Sequence, residues 1–225
     1  MSVFNIGFVL FPELTQLDFT GPLQVLARLP QSATHIVAKS CAPVPSDCGL
    51  SLVPTCTFAN CPPLNMICVP GGSGVVGAIR DQETIDFVRR QGETAKYVTS
   101  VCTGAFVLGA AGLLKARRAT THWAYTDLLS LVGATHEKGR IVRDGNVITA
   151  GGVTSGIDFG LSIAAELAGN VTAQALQLGI EYDPAPPFDA GHPDRAPKAV
   201  RASLTGRYEK SRSAYRASIE DMMPH

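Results

Sequence analysis

The amino-acid sequence predicts an α/β fold: a doubly wound, mostly parallel sheet flanked by helices, with a β-hairpin appended to it. Short apolar runs alternate with segments of helical periodicity, and this alternation is typical of parallel sheets. A later segment, Arg140 to Ala150, has the composition of a hairpin. The chain of 225 residues, 45% hydrophobic and 17% charged, suits one compact domain with or without a short appendage.

The strand candidates are short runs rich in β-branched and aromatic residues. The first, Val3 to Phe11, has almost no polar break, which is typical of a strand covered on both faces. Further candidates are Ala33 to Lys39, Met66 to Pro70 and Tyr97 to Val101. From Gly74 to Ala95 the apolar residues recur at helical spacing, so we predict a helix between the last two strands.

The second half of the chain contains the hairpin, a helix and a tail. The turn residues Asp144–Asn146 separate the two β-prone arms of the hairpin. Helical periodicity returns from Gly156 to Gly169. The proline-rich stretch Pro184–Pro197 cannot form a regular helix or a central strand. We therefore divide the chain into a domain of residues 1–197 and a helical tail of residues 198–225.

Net charge and hydropathy exclude several classes of protein. The formal net charge is zero, so there is no overall basic field with which to attract nucleic acid. Only the tail is basic, and we expect it to be a solvated surface helix or a dimer contact rather than a binding element. The N-terminus has no positively charged leader, and no run of about eighteen uncharged apolar residues occurs. We expect a cytoplasmic protein that binds neither nucleic acid nor membrane.

The cysteines and histidines do not show the spacing of metal ligands. The chain has six cysteines and five histidines, but no C-x-x-C, H-x-H or H-x-x-x-H pattern. A chain of this length does not need disulfide bonds to stabilise its core. We therefore predict reduced thiols and no metal site.

Cys102 lies where the predicted strand Tyr97–Val101 meets a helix-like run. Gly104 follows two residues later and allows a sharp turn, as in the strand-turn-helix segment that carries many catalytic nucleophiles. A thiol at a helix N-terminus is expected to favour the reactive thiolate. The same context also suits a small buried cysteine without a chemical role. The pattern alone leaves both interpretations open.

Two further stretches follow predicted strands, and we expect them at the same edge of the sheet as Cys102. In PGGSG (Pro70–Gly74) the glycines would let backbone N–H groups form an anion or oxyanion site. The stretch matches neither the phosphate-loop nor the dinucleotide pattern, so ATP and NAD are not favoured. In QLDFTGP, Asp18 precedes a helix expected to open at Gly21–Pro22. Taken alone it suits a helix cap or an exposed acid, and beside a thiol it could transfer a proton.

Taken in this order, the three stretches resemble the DJ-1/PfpI superfamily from about Phe4 to about Pro197. The most similar branch is that of the isocyanide hydratases, through LFPELTQLDFTGP, ICVPGGSGVVGA, VTSVCTGAFVLGAAGLLKARRATTHWAY, VRDGNVITAGGVTSGIDF and EYDPAPPFDAG. The same blocks occur in the N-terminal domains of AraC-type regulators, but we expect no helix-turn-helix domain in a chain that ends at His225. Thr103 stands where protease-like members have histidine, and Asp18 where the DJ-1 and protease-like branches have glutamate.

The resemblance implies a flavodoxin-like homodimer that converts an isocyanide, R–NC, and water to an N-substituted formamide without metal or organic cofactor. It implies that Cys102 is the nucleophile on a nucleophile elbow and that Asp18 is the proton-handling carboxyl. It also implies a supporting hydroxyl at Thr103 and backbone N–H donors to the bound group at Gly72. From these roles we expect a Cys102 thioimidate intermediate.

An apolar pocket is expected for the R group, because an isocyano group forms few hydrogen bonds. Phe19, Phe106 and Trp123 flank the motifs and are candidates for it. His122 is either the base of a Cys/His pair or a hydrogen-bonded histidine beside a packed Trp123.

The alternative functions are another cysteine-dependent hydratase or amidase of the same fold, a redox sensor that oxidises Cys102, and a regulator without its DNA-binding half.

Overall fold

A computed structural model describes residues 3–222 of the chain. The strands are β1 Phe4–Val9, β2 Ser32–Ala38, β3 Val44–Pro45, β4 Ser51–Leu52, β5 Cys56–Thr57, β6 Met66–Val69, β7 Tyr97–Val101, β8 Arg118–Ala119, β9 Thr135–His136, β10 Ile141–Asp144 and β11 Val147–Ala150. The helices are α1 Gln16–Leu26, α2 Val75–Arg80, α3 Gln82–Thr94, α4 Gly104–Ala110, α5 Ser155–Ala168, α6 Asn170–Gly179 and α7 Lys198–Met222, with a 3₁₀ helix at Trp123–Val132.

Within this described part of the chain, the central sheet has seven strands in the order β10-β11-β7-β6-β1-β2-β5. All neighbours in it run parallel except β10 and β11, which form the predicted antiparallel hairpin. Helices flank the sheet in two groups: α1 packs with α5, while α2, α3 and α4 pack with one another. The predicted fold class is confirmed. Since β1, β6 and β7 are adjacent and parallel, the segments that follow them meet at one edge.

The central strands are apolar because both of their faces are covered. Every residue of β6 (MICV) and of β7 (YVTSV) is buried, which explains their nearly continuous apolar runs. The hydroxyl of Thr99 in β7 donates to the carbonyl of Ile67, so this polar side chain is satisfied inside the sheet. Farther out, Phe58 and Phe87 stack with ring centroids 4.4 Å apart and tie the β5 edge to α3.

The helix predicted from Gly74 to Ala95 is two helices, α2 and α3, which meet at Asp81. Asp81 has extended backbone angles, and its carboxylate accepts hydrogen bonds from Thr84 and Lys39. The carboxylate therefore lies at the N-terminus of α3, where an acidic group compensates free N–H groups. The helical spacing of apolar residues continues across Asp81, so the sequence pattern did not indicate that one helix ends there and another begins.

Helix α1 begins at Gln16, ahead of the predicted start at Gly21–Pro22, and Pro22 lies inside it. The reason is a contact from a distant loop. The Asp47 carboxylate accepts hydrogen bonds from the Thr15 hydroxyl and from the Gln16 N–H, which satisfies the start of the helix. Asp18 is consequently in the first turn of α1 and is fully buried, so neither the cap nor the exposed acid expected for an isolated Asp18 is correct.

Residues 198–222 of the tail form helix α7, and one face of this helix packs onto the same chain while the rest is exposed. Helix α7 packs against α2 and the 3₁₀ helix, and it buries Tyr215, Ser218 and Ile219. Its Arg212 guanidinium forms a bidentate ion pair with Asp127 at 2.9 and 2.8 Å. Helix α6 and the two-residue strands were not predicted from the sequence.

Each of the six cysteines is a free thiol, as predicted. Among residues 3–222, no three His, Cys, Asp or Glu side chains are grouped in a way that could hold a metal ion. In the same range, no helix combines the length and the apolar character that crossing a membrane requires.

Candidate active site

The Gly71–Gly72 turn after β6 forms the floor of the site, and both of its peptide groups are held in place. The Gly71 N–H donates to Asp18 Oδ2 at 2.9 Å, and its carbonyl accepts from the Thr15 N–H at 2.9 Å. The Gly72 N–H donates to Thr103 Oγ1 at 3.0 Å. These bonds connect the segments after β1, β6 and β7, as the sequence predicted from their positions.

Glycine is required at this turn by close approach and by backbone conformation. Gly72 has φ of +122°, which side chains rarely adopt. A Cβ at Gly71 would lie 2.5 Å from the Thr103 N and 2.9 Å from Asp18 Oδ2. A Cβ at Gly104 would lie 2.1 Å from the Val69 carbonyl oxygen. The two backbone segments therefore pack directly against each other without intervening side chains.

Cys102 occupies a strained position between β7 and α4. Its φ is +57°, in the left-handed region that costs a non-glycine residue about 1 kcal/mol or more. The surroundings hold this conformation: the Cys102 N–H donates to the Ala150 and Gly151 carbonyls at 3.0 and 2.8 Å. The Cys102 carbonyl accepts the Thr121 hydroxyl at 2.8 Å. Backbone strain maintained by three neighbouring residues is typical of functional positions.

Asp18 is the buried acid of the site. It is 0% exposed, and burial raises the pKa of its carboxyl from 3.8 to about 7, although the Gly71 N–H and the Cys102 thiol act in the opposite direction. Its Oδ1 has no well-formed hydrogen bond within the described part of the chain and is free for a proton or a ligand. Near neutral pH this carboxyl is present in both protonation states, as an acid-base catalyst requires.

The thiol of Cys102 is neutral at rest, which corrects the expectation that its position alone favours the thiolate. Burial raises its pKa well above the ordinary value, and the nearby Asp18 carboxylate raises it further. Interactions with the backbone and side chain of Thr103 lower the pKa, but by less. Desolvation of the sulfur and the adjacent negative charge thus outweigh the helix terminus.

His122 caps the N-terminus of the 3₁₀ helix. Its Nδ1 accepts the Ala124 N–H at 3.3 Å, and its ring packs against Trp123, Tyr125 and Tyr208. Burial lowers its pKa to about 4, so the ring is neutral at physiological pH. Of the two interpretations left open by the sequence, the hydrogen-bonded histidine is the one that fits these contacts.

A cleft of about 910 Å³ adjoins the backbone around Cys102. Its wall includes Thr121 and Gly151, which bond the Cys102 backbone, together with Trp123. Of the three expected pocket residues only Trp123 lines this cleft, because Phe19 packs on Phe8 and Phe106 packs on Tyr215 in the core. A more apolar cavity of about 610 Å³ lies between the ends of β1 and β2 and α2, and no residue bonded to Cys102 lines it. The first cleft is the candidate substrate site because it reaches these backbone partners of Cys102, although the side chains of Cys102 and Asp18 do not line it.

Comparison with known proteins identifies the family of this chain. The model of the DJ-1/PfpI family matches residues 5–166. This chain belongs to the DJ-1/PfpI family. It is 60% identical over 196 residues to the isonitrile hydratase of Pseudomonas putida, which covers 87% of this chain and 86% of that protein.

Two solved structures from the same superfamily have the same fold. The crystal structure of a THiJ/PfpI family protein from Pseudomonas syringae is 44% identical, covers 97% of this chain and 91% of that chain, and superposes with a TM-score of 0.95. DJ-1beta of Drosophila melanogaster, at 22% identity, covers 80% of this chain and 98% of its own, with a TM-score of 0.70. The first match extends over nearly the whole chain, including the segments beyond residue 166.

The structure brings together all four residues predicted for the site, which are Asp18, Gly72, Cys102 and Thr103. It adds Tyr215 from helix α7, whose hydroxyl bonds Thr103 Oγ1 at 2.9 Å and the Gly72 carbonyl. The only sequence signal for this residue is a tyrosine within a polar, basic helix, which does not distinguish it from a surface residue.

Proposed function

We propose that this protein adds water to an isocyanide, R–NC, to give an N-substituted formamide, with Cys102 as nucleophile and Asp18 as the proton-transfer group. The observation that carries the proposal is that the buried Cys102 thiol lies near a fully buried carboxyl, Asp18, whose pKa burial raises to about 7. The identity of 60% to the isonitrile hydratase of Pseudomonas putida supports the same reaction class. The proposed steps need only the two side chains and water, without metal or organic cofactor.

In the first step the Asp18 carboxylate takes the proton of the Cys102 thiol, and the resulting thiolate attacks the terminal carbon of the isocyanide. A carbon–sulfur bond forms while the electron pair of the isocyanide carbon accepts the same proton from Asp18. The product is the thioimidate R–N=CH–S–Cys102, and Asp18 is again a carboxylate. A neutral resting thiol is compatible with this step because its base lies beside it.

In the second step Asp18 takes a proton from water while the water oxygen adds to the thioimidate carbon, and Asp18 then gives this proton to the nitrogen and is again a carboxylate. The adduct R–NH–CH(OH)–S–Cys102 then loses its hydroxyl proton to Asp18, and the carbon–sulfur bond breaks. The formamide R–NH–CHO leaves and the thiol regains its proton. One carboxyl acts in turn as acid and base, for which a pKa close to the working pH is best suited.

The supporting groups have distinct roles in this proposal. The Thr103 hydroxyl stabilises negative charge on the sulfur, consistent with the direction in which it shifts the Cys102 pKa. The Gly72 N–H is bonded to Thr103 Oγ1, so it would donate to the bound group, as the resemblance implies, only after exchanging that partner. The R group would occupy the cleft beside Trp123.

The test is turnover of a small aromatic isocyanide such as p-nitrophenyl isocyanide, with formamide formation followed by absorbance. Cys102→Ala should reduce turnover to background. The matched control is Cys56→Ala, which removes another buried thiol at the far edge of the sheet and should retain wild-type turnover. Wild-type rates in Cys102→Ala would end the proposal, and so would the absence of turnover in the wild-type protein.

The alternative functions are distinguished by the chemistry of the same thiol. Peroxide sensing depends on the thiolate fraction, which the burial of Cys102 reduces, so the site is less suited to it. A glyoxalase-like hydratase or an amidase would use the same residues on an activated carbonyl. A panel of carbonyl substrates measured beside the isocyanide separates these reactions.

We also propose that the protein is a cytoplasmic homodimer. The dimer is supported by Val171, Leu178 and Phe188, apolar side chains that are each more than three quarters exposed on α6 and the loop after it. Light scattering after size-exclusion chromatography tests the proposal: we expect twice the mass of the chain, and a shift towards monomer in Leu178→Glu. A monomeric wild-type protein would contradict it.

A further inference from the structure

The C-terminal helix α7 brings one tyrosine hydroxyl into the active site. Tyr215 is only 2% exposed, and its ring packs against Phe106 and Tyr125. Its hydroxyl lies 2.9 Å from Thr103 Oγ1 and also bonds the Gly72 carbonyl. Tyr215 is thus joined to the turn after β6 and to the residue that follows Cys102, although it is separated from both by more than a hundred positions in sequence.

The hydrogen-bond capacity of Thr103 Oγ1 determines what Tyr215 can do. A hydroxyl oxygen has one proton and two lone pairs. One lone pair accepts the Gly72 N–H. If Tyr215 donates to the other, both lone pairs are occupied and the Thr103 proton can be given away. If Tyr215 instead donates to the Gly72 carbonyl, the Thr103 proton is free to bond the tyrosine oxygen.

Thr103 follows Cys102 directly in the chain, and its side chain lowers the pKa of the Cys102 thiol, so we take the sulfur as the acceptor for the Thr103 proton. The Tyr215 phenol has a single proton, so at any moment it can satisfy either Thr103 or the Gly72 carbonyl. The Gly72 carbonyl also accepts the Val75 N–H at 3.2 Å and therefore keeps a partner when the phenol turns away. The phenol can switch without leaving a buried carbonyl unsatisfied.

We propose that Tyr215 is a positioning residue: when negative charge develops on the Cys102 sulfur, its hydroxyl donates to Thr103 Oγ1 and directs the Thr103 proton to the sulfur. The result is a chain of hydrogen bonds from Tyr215 through Thr103 to the thiolate, in which each donor strengthens the next. The consequence for catalysis rests on the proposed hydration, whereas the consequence for the thiol does not.

The other groups around the sulfur do not replace this chain. The ionisable side chains that face Cys102 are Asp18 from α1, Tyr125 from the 3₁₀ helix and Tyr215 from α7. Asp18 opposes the thiolate when it is ionised. The Tyr125 hydroxyl is bonded to Ser211 at 2.8 Å. Burial raises the pKa of Tyr215 well above its ordinary value, so it remains a neutral phenol and acts as a donor.

The first test needs no isocyanide. The rate of Cys102 alkylation by iodoacetamide is followed against pH by mass spectrometry of the peptide, since the exposed Cys41 and Cys48 also react. We expect Tyr215→Phe to raise the apparent thiol pKa and to slow alkylation roughly three- to tenfold, the effect of one neutral hydrogen bond. The matched control is Ser218→Ala, which removes a buried α7 hydroxyl bonded to the Val76 carbonyl and should leave the rate unchanged.

Dependence on Thr103 separates positioning from a general structural effect. In a Thr103→Val background, Tyr215→Phe should slow alkylation no further, because the chain to the sulfur is already broken. Additive effects of the two substitutions would overturn the proposal. So would a folded Tyr215→Phe protein with the wild-type alkylation profile, or an equal slowing by Ser218→Ala.

A second variant keeps the test decisive if Tyr215→Phe does not fold. Replacing Tyr215 by 3-fluorotyrosine changes the volume little and makes the hydroxyl a stronger donor, so alkylation should become faster; an unchanged or slower rate would overturn the proposal. With an isocyanide as substrate, Tyr215→Phe should lower kcat by about the same factor by which it lowers the alkylation rate, and it should leave KM unchanged. A protein that fails to hydrate isocyanides would end the proposed function, but the alkylation results would still decide the role of Tyr215.

Discussion

Substituting Asp18 by Asn tests whether the buried carboxyl reduces stability when it ionises. Asp18 is fully buried and its Oδ2 accepts the Gly71 N–H. An asparagine has nearly the same shape, and its amide oxygen can accept the same bond, so the packing of α1 against the Gly71–Gly72 turn should be retained. What the substitution removes is the negative charge that this buried side chain carries when it ionises.

The magnitude follows from the pKa. Burial raises the pKa of Asp18 from 3.8 to about 7, and each pKa unit corresponds to ~1.4 kcal/mol. Between these values the unfolded chain has lost the proton and the folded chain has kept it, so the free energy of unfolding falls as pH rises. The loss is complete above pH 7 and amounts to about 4 kcal/mol, an upper figure for a group that can relax towards water. Asp18→Asn should not show this loss.

The assay is denaturant unfolding of the wild type and Asp18→Asn at pH 4 and pH 8. Any constant offset from the amide cancels in this comparison, and the stability of the variant relative to the wild type should rise by up to about 4 kcal/mol between the two pH values. Asp183→Asn, at an exposed position, is the control and should show no such change. If the relative stability of Asp18→Asn moved by less than about 1 kcal/mol, the assignment of a strongly desolvated carboxyl would be refuted.

Four further outcomes are expected. In the hydration assay kcat/KM should rise with pH through about 7 as Asp18 ionises, and a pH-rate profile of Asp18→Asn that kept this limb would contradict its role. Gly71→Ala should abolish turnover and lower the free energy of unfolding by about 1–3 kcal/mol, since the new Cβ would lie 2.5 Å from the Thr103 N. Gly77 is exposed and a Cβ there would meet no other atom, so Gly77→Ala should raise the free energy of unfolding, measured by chemical denaturation, by up to about 1 kcal/mol. Phe87→Ala should cost about 3–5 kcal/mol by the same measurement, because its ring is 1% exposed and stacked.

The fold and most of the site could be predicted because they depend on local patterns. The strands β6 and β7 are continuous apolar runs, and the residues that follow them must meet at the carboxyl edge of a parallel sheet. This reasoning predicts that Cys102 and the Pro70–Gly74 turn lie near Asp18, whereas the roles of Gly72 and Thr103 come from the family resemblance. The hairpin was similarly predictable from its turn residues.

The features that sequence reasoning missed depend on contacts between distant segments. Helix α1 begins at Gln16 because the carboxylate of Asp47, thirty-one positions away, bonds its first N–H. The role of α7 depends on Tyr215, which reaches Thr103 across 112 positions. Propensity and periodicity report on neighbours along the chain, so neither contact leaves a signal in them.

The protonation state of Cys102 could not be predicted for a different reason. A helix N-terminus is visible in the sequence and favours a thiolate, whereas burial and the distance to Asp18 exist only in the folded chain. In the structure, burial and the nearby Asp18 carboxylate raise the pKa of the Cys102 thiol by more than the helix terminus lowers it, so the thiol is neutral. A strand-turn-helix pattern can thus locate a cysteine without revealing its charge.

The burial that destabilises the Asp18 carboxylate is also what fits it to the proposed reaction. With an ordinary pKa near 4, the carboxylate would be a weaker base and would take the proton of the Cys102 thiol less readily. With a pKa of about 7 it can give a proton to the isocyanide carbon and then accept one from water. The same desolvation keeps the neighbouring thiol protonated, so that acid and nucleophile share one proton until substrate arrives. The stability lost at neutral pH and the competence of the pair therefore have a single physical origin.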